Sequence, residues 1–389
     1  MANTDFSENI IYIGASDKDL DLFESQYIVP NGMAYNSYVI LDDKVCVMDT
    51  ADCRVRDQWL ANLKNALNGR AVDYLVVQHV EPDHSANIAA LMAEYPDMKV
   101  VGNAKTLTLL GQFYHIPGLG FNFITVKEGD TLELGSHTLK FFMTPMVHWP
   151  EVMMTYEESE KAFFSADAFG KFGALDTDED WACEARRYYF NIVGKYGAQV
   201  QAVLKKASAL DIKMILPLHG PMLTENLDYY LNLYNTWSSY QPEEKGIFVA
   251  CASIHGNTLT AAEKFCTMLE ERGAEKVVLA DLSREDWAES VEDAFRYDRL
   301  VLMAASYDGG VFPVMEEFLM HLRDKTYRSR TIAMVENGSW APSAARVMKS
   351  YVEKFKDITL VEPVVTIKSS LDIESEAKLK ELADALTAK

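Results

Sequence analysis

The chain has 389 residues, enough for two domains of ordinary size, each with its own core. Hydrophobic residues make up 49% and charged residues 24%, a globular composition, and the formal net charge of −21 argues against nucleic acid or an anionic membrane as partner. The five cysteines (Cys46, Cys53, Cys183, Cys251, Cys266) contain no C-x-x-C pair, and neither a secretory leader nor a membrane-length apolar run is visible, so a reducing cytoplasm is the expected setting.

In chain order, the apolar segments YNSYVIL, KVCVMDT, DYLVVQH, TLKFFMTP, AFFSADAF and MILPLHG read as buried strands that end in polar residues. RDQWLANLKNAL and SANIAALMAEY carry helical periodicity between some of them. The segment Trp237–Lys245 breaks the pattern with Pro242 and charge and reads as a linker. The expected domains are therefore residues 1–243 and 246–389. After the linker, GIFVACA, KVVLAD, RLVLMAAS, TIAMVE and LVEPVVTI alternate with helical stretches such as TAAEKFCTMLEERG and AARVMKSYVEKF. Five strands alternating with helices predict a doubly wound parallel sheet, with ligands at the carboxyl ends of the strands.

Three loops of that second half carry candidate binding residues. Ser253-Ile254-His255-Gly256-Asn257-Thr258 runs from a strand into a helix, as a phosphate cradle does. Ser, Asn and Thr also suit a plain helix cap. Ala305-Ser306-Tyr307-Asp308-Gly309-Gly310 and Asn337-Gly338-Ser339-Trp340 each bring an aromatic ring to the mouth of the sheet, placed to flank a flat heterocycle. The three loops together resemble flavodoxin, whose phosphate loop reads Ser/Thr-x-Thr-Gly-Asn-Thr; here His255 replaces the usual Thr. The resemblance implies bound FMN.

The first half holds QHVEPDH, in which His79, Glu81, Asp83 and His84 crowd four metal-binding side chains around Pro82. His148, Asp167 and His219 each follow an apolar run. A single ion takes about four to six ligands, so this set suits two ions better than one. In an extended segment His79, Glu81 and Asp83 point the same way, while His84 swings to a neighbouring ion. Each member also has a plainer reading: Asp83 would cap a helix starting near Ser85, and a lone histidine is more often a core residue. His115, His137 and His321 have no such neighbours and read as structural.

The pattern His-x-Glu-x-Asp-His, then His, Asp and His, then a flavodoxin-like half, resembles the flavodiiron protein family over essentially the full chain. The resemblance implies a metallo-β-lactamase-like αββα sandwich followed by a flavodoxin-like doubly wound five-stranded sheet. It implies one iron at His79, Glu81 and His148, a second at Asp83, His84 and His219, and Asp167 as bridge. It further implies that electrons pass through FMN to a non-haem diiron centre that reduces O2 to water, NO to N2O, or both, detoxifying these gases in an anaerobe. Rubredoxin or another small carrier is the implied donor, since no rubredoxin-like extension with paired cysteines follows. A head-to-tail homodimer is implied too, because flavin and irons within one chain are expected to lie too far apart. Similar segments in the family place a tyrosine near the irons, which makes Tyr188 and Tyr189 candidates of which at most one points inward. The competing readings are a zinc hydrolase of the metallo-β-lactamase type with a passive second domain, and a flavin electron carrier on an inert scaffold.

Overall fold

The computed structural model describes residues 4–388. It divides into two compact units, Met1–Asn235 and Thr236–Lys389. The division falls inside the helix Leu227–Ser238, ahead of the whole polar segment Trp237–Lys245.

In the first unit, six strands form one sheet in the order Ile10–Tyr12, Tyr38–Ile40, Cys46–Met48, Tyr74–Val76, Lys99–Gly102 and Phe123–Thr125. A second sheet joins Thr131–Glu133, Thr138–Met143, Met153–Glu157, Ala162–Phe164 and Met214–Leu216. Strand alternation decides what each face does. Tyr38, Met48, Val76 and Val101 face Leu139, Phe141, Met153 and Phe164 in the core between the sheets. Val39, Val47, Leu75 and Val100 lie one position out of that phase, in lateral register with one another. They too are fully buried, on the face away from that core. Burying each of these rows on both faces contributes about 1.5–3 kcal/mol per side chain, so sheets of this kind need helices outside them. The helix Arg56–Leu67 supplies Trp59, Leu63 and Leu67 to the interior. It spans the periodic segment read from sequence, and left-handed Asn68 ends it.

The second unit is a parallel sheet in the order Val277–Asp281, Glu244–Ala252, Tyr297–Tyr307, Arg328–Asn337 and Lys356–Leu360. Val249, Val301 and Val335 pack with Phe265, Leu269, Leu379 and Leu382 on one face, while Phe248 meets Phe318 on the other. Helices on both faces make the sheet doubly wound. The reading of LVEPVVTI as one strand is corrected: Lys356–Leu360 and Val365–Ile367 pair separately with Arg328–Asn337. Pro363 lies between them, and its missing N–H cannot join a ladder. The strand order reverses beside Glu244–Ala252, so the crevice for a ligand opens at the carboxyl ends of that strand and Tyr297–Tyr307.

Candidate metal centre and a second cavity

Each of the sequence-predicted metal ligands follows the end of a strand. QHVEPDH leaves Tyr74–Val76, His148 follows Thr138–Met143, Asp167 follows Ala162–Phe164, and His219 follows Met214–Leu216. The QHVEPDH loop is pinned from behind by two carboxylates that sequence reading missed. Buried Asp49 accepts hydrogen bonds from the Gln78 N–H (2.7 Å), the Gln78 side-chain amide (3.0 Å) and the His79 N–H (3.3 Å). Buried Glu151 accepts from the Val80 N–H (3.0 Å) and from His79 Nδ1 (2.8 Å). The helix expected near Ser85 runs from Ile88 to Glu94 with Asn87 at its cap position, and a four-residue helix, Pro82–Ser85, precedes it with Glu81 at its cap position. Asp83 thus stands in the first turn of the short helix and is the cap of neither, which leaves the side chain for other use.

The seven side chains converge as two groups, His79 with Glu81, His148 and Asp167, and Asp83 with His84 and His219. Asp167 faces both: its Oδ2 lies 2.9 Å from His148 Nε2 and 3.6 Å from His79 Nε2, its Oδ1 3.3 Å from His84 Nε2 and 3.8 Å from His219 Nε2. The hydrogen bonds fix where the imidazole lone pairs point. His79 donates its Nδ1–H to Glu151, so its Nε2 lone pair faces Glu81 Oε2 at 3.2 Å. His219 donates its Nδ1–H to the Ala34 carbonyl at 2.7 Å, so its Nε2 lone pair faces His84 Nε2 at 3.1 Å and Asp83 Oδ2 at 3.3 Å. Both Asp83 oxygens and Asp167 Oδ1 are buried and accept no hydrogen bond among the described residues. Lone pairs and oxyanions pointed at one another in a dry interior call for cations between them. The donor set therefore fits two metal ions.

Proton affinities carry the same message. Burial opposes charge on His79, yet Asp167, Glu151 and Glu81 hold its pKa well above the usual histidine value. His148 is likewise disfavoured by burial, but Asp167 and Glu81 raise it to about 9. Burial, aided by Glu81 and Asp167, pushes Asp83 up to about 7. Without a metal, protons on His79 and His148 answer Glu81 and Asp167, while burial lowers His219 and favours the proton on Asp83 itself.

Aromatic rings close the surroundings. Phe23, Tyr35 and Tyr188 lie 5.4, 5.8 and 5.6 Å from the His219 ring, and Trp149 lies 5.3 Å from His79. Tyr188 ends the helix Trp181–Tyr188, and its buried hydroxyl has no hydrogen-bond partner among the described residues. Tyr189 opens a π-helical turn and packs on Tyr234 and Phe190 instead. Only Tyr188 of the two thus faces the cluster.

In the second unit the three candidate loops surround a cavity of about 560 Å³. Ile254, His255, Asn257 and Thr258 line it with Ala305–Gly309 and Asn337–Trp340. Ser253, Gly256 and Gly310 shape the loops without lining the cavity; Ala341, Ser343 and Ser369 line it and were not foreseen. Gly256, at φ +88°, is the cap residue of the helix Asn257–Glu271, and no side chain caps its first N–H groups. Ser253 Oγ does accept from the N–H of Gly256 itself, at 3.1 Å, so the loop carries a local cap, and beyond it the positive end of a long helix opens toward the cavity. Trp340 is 92% exposed and Tyr307 46% exposed at the rim, ring area that a bound planar group would cover.

Known proteins resemble this chain over both of its units. The family model described as "ODP family beta lactamase" matches residues 33–220. A putative diflavin flavoprotein A 1 of Thermosynechococcus vestitus is 28% identical over 94% of this chain and 64% of its own length. An anaerobic nitric oxide reductase flavorubredoxin of Vibrio vulnificus is 28% identical over 85% of this chain and 69% of its own. The chain thus spans about two thirds of the length of these relatives. Among solved structures, rubredoxin oxygen:oxidoreductase of Desulfovibrio gigas superposes with a TM-score of 0.90 at 20% identity, over 100% of this chain and 98% of its own. That likeness establishes the fold: a metallo-β-lactamase-like sandwich followed by a flavodoxin-like sheet.

Proposed function

We propose that this chain, a member of the flavodiiron protein family, is a reductase that takes electrons through FMN to a non-haem diiron centre and reduces O2 to water, NO to N2O, or both. The observation that carries the reading is the pair of donor groups sharing Asp167, whose lone pairs and oxyanions have no other partner. His79, Glu81 and His148 would hold one iron, Asp83, His84 and His219 the other, with Asp167 between them. When bound, the irons and the flavin supply the electron chemistry that side chains lack. Glu81 stands where zinc hydrolases of this fold carry a histidine, and the carboxylates Glu81, Asp83 and Asp167 are hard ligands that suit oxidised iron. Zinc has no valence to change, which counts against the hydrolase reading.

The chain's own residues handle position, water and protons. Phe23, Tyr35 and Trp149 dry the centre, which strengthens each electrostatic contact within it. The reduction of either gas consumes protons, and the Tyr188 ring packs 5.6 Å from the His219 ring, which makes its protonated hydroxyl the candidate among these aromatics to supply one. In the second unit, the uncapped N–H groups after Gly256 would receive the FMN phosphate, and Tyr307 and Trp340 would flank its ring system. The names of the relatives support a rubredoxin-type donor for this chain. A head-to-tail dimer in the cytoplasm completes the proposal, with one copy's flavin serving the other's irons.

Iron- and FMN-loaded protein given reduced rubredoxin is expected to consume O2 or NO, to contain two irons per chain, and to show flavin absorption. Loaded protein that consumes neither gas would overturn the reading. Zinc without a flavin spectrum would restore the hydrolase.

A further inference from the structure

The two metal positions have matching ligands: each has two imidazoles and one carboxylate of its own, and each faces one oxygen of Asp167. One difference between them lies in what holds the imidazoles, and there the two positions differ sharply. His79 donates its Nδ1–H to Glu151 at 2.8 Å, and Glu151 is fully buried. That carboxylate is itself fixed by the Val80 N–H at 3.0 Å, and Asn103 donates its side-chain amide to the Glu151 carbonyl at 2.5 Å. Among the described residues the second position has no such anion hydrogen-bonded to an imidazole, although the charge of Asp49 is felt at His84. His219 donates to a neutral carbonyl, Ala34 O, and His84 Nδ1 is buried with no hydrogen-bond partner among the described residues. Asp49 does lie behind the loop, but its hydrogen bonds come from the Gln78 and His79 backbone and the Gln78 side chain, not from an imidazole.

A carboxylate accepting the outer N–H of a ligating histidine pushes electron density onto the ring and raises its basicity toward the metal. A more basic donor favours the higher oxidation state. Resting on the diiron reading above, we infer that Glu151 makes the two positions unequal, so that a half-reduced centre keeps its ferric ion at His79, Glu81 and His148. The first electron added to the diferric protein then goes to the ion at Asp83, His84 and His219, which becomes ferrous. The second electron reduces the ion at His79, at a lower potential. Glu151 acts through His79 and is a positioning residue.

The test is a stepwise dithionite titration of iron-loaded protein, followed by EPR of the mixed-valence state, in the native chain and in Glu151→Gln. Removing such a partner typically costs 10–100-fold at the metal. A tenfold loss of preference for ferric iron raises a one-electron midpoint by about 59 mV. The lower midpoint is expected to rise by about that much in Glu151→Gln while the upper one stays, so the mixed-valence signal shrinks. Asn103→Ala, which loosens the segment but keeps the carboxylate, is expected to leave the gap as it was. If Glu151→Gln does not fold, Glu151→Asp, with the same charge at shorter reach, is expected to raise the lower midpoint by a smaller amount. Both midpoints moving together, the upper one moving alone, neither moving, or an equal effect of Asn103→Ala would overturn the inference. Protein that takes up no iron would instead contradict the diiron reading itself.

Discussion

A buried hydroxyl with no partner is a cost that a protein keeps only for a reason. Tyr188 has such a hydroxyl, and burial with the nearby Asp167, Asp83 and Glu81 carboxylates pushes its pKa well above that of free tyrosine, so it stays protonated. Tyr188→Phe removes the oxygen without opening a void. Stability is therefore expected to hold or to rise by up to about 1 kcal/mol, with iron content unchanged. Turnover is expected to fall about tenfold, below the usual loss of about a hundredfold or more for a positioned proton donor, because water can stand in. Tyr189→Phe is expected to leave turnover alone. Thermal melts beside gas-consumption rates check both, and full turnover in Tyr188→Phe would dismiss the hydroxyl. At this scale the sequence was legible where chemistry and position coincide. Histidine and carboxylate at a strand end announce themselves, as at His79, Glu81 and Asp167. Glu151 and Asp49 do not, because a carboxylate that orients a ligand carries no spacing rule. Their partners, His79 and the Gln78 backbone, are distant in sequence and meet them only through the fold.

Strand ends away from the metals show a second use of histidine. His137, buried between the strands Thr131–Glu133 and Thr138–Met143, places Nδ1 2.7 Å from Asp42 and Nε2 3.4 Å from Glu160. Burial opposes its charge, but Asp42 and Glu160 raise its pKa above the usual value. Asp42, though penalised by desolvation, is held below the ordinary carboxylate range by His137, the Asp43 N–H and Ser136. The raised histidine stabilises the fold fully below its unfolded pKa of about 6.5, and loses that effect as pH rises through the folded value. The lowered aspartate stabilises above its unfolded pKa of about 3.9 and loses it only in stronger acid. His137→Gln is therefore expected to lower the thermal midpoint most between about pH 4 and pH 6.5, and least in alkali. An equal drop at every pH would refute the charged pairing of His137 with Asp42. Elements were legible from sequence when their period was long: the helix Arg56–Leu67 and the strands of the parallel sheet follow their apolar patterns. Short pairs such as Leu22–Phe23 with Tyr27–Ile28 were not, because two residues cannot display a period. The π-helical turn after Tyr188 likewise has no pattern of its own.

The whole molecule separates its two chemistries between two cores. All seven side chains of the two donor groups belong to Met1–Asn235, and all three loops of the cavity belong to Thr236–Lys389. Each cluster is held by hydrogen bonds and packing within its own unit, as Glu151 holds His79 and Asn337 meets Thr258 at 3.2 Å. Loss of one cofactor is therefore expected to spare the other. Asp167→Asn removes the charge that both donor groups share, while an amide of the same shape keeps the packing. It is expected to lose most of its iron and keep its full flavin absorption. Gly256→Val is the reciprocal change. A Cβ there meets no protein atom, so no clash unfolds the unit, but φ of +88° is a region that a branched side chain tolerates badly. Strain of about 1–3 kcal/mol at that position would bend the loop away from the phosphate it has to meet. Flavin binding is expected to weaken about tenfold or more, since each 1.4 kcal/mol is roughly a factor of ten, with two irons per chain retained. Metal analysis and the visible spectrum, taken on the same sample of each variant, read both quantities at once. Joint loss of iron and flavin in either variant would mean that the two units depend on one another for their cofactors.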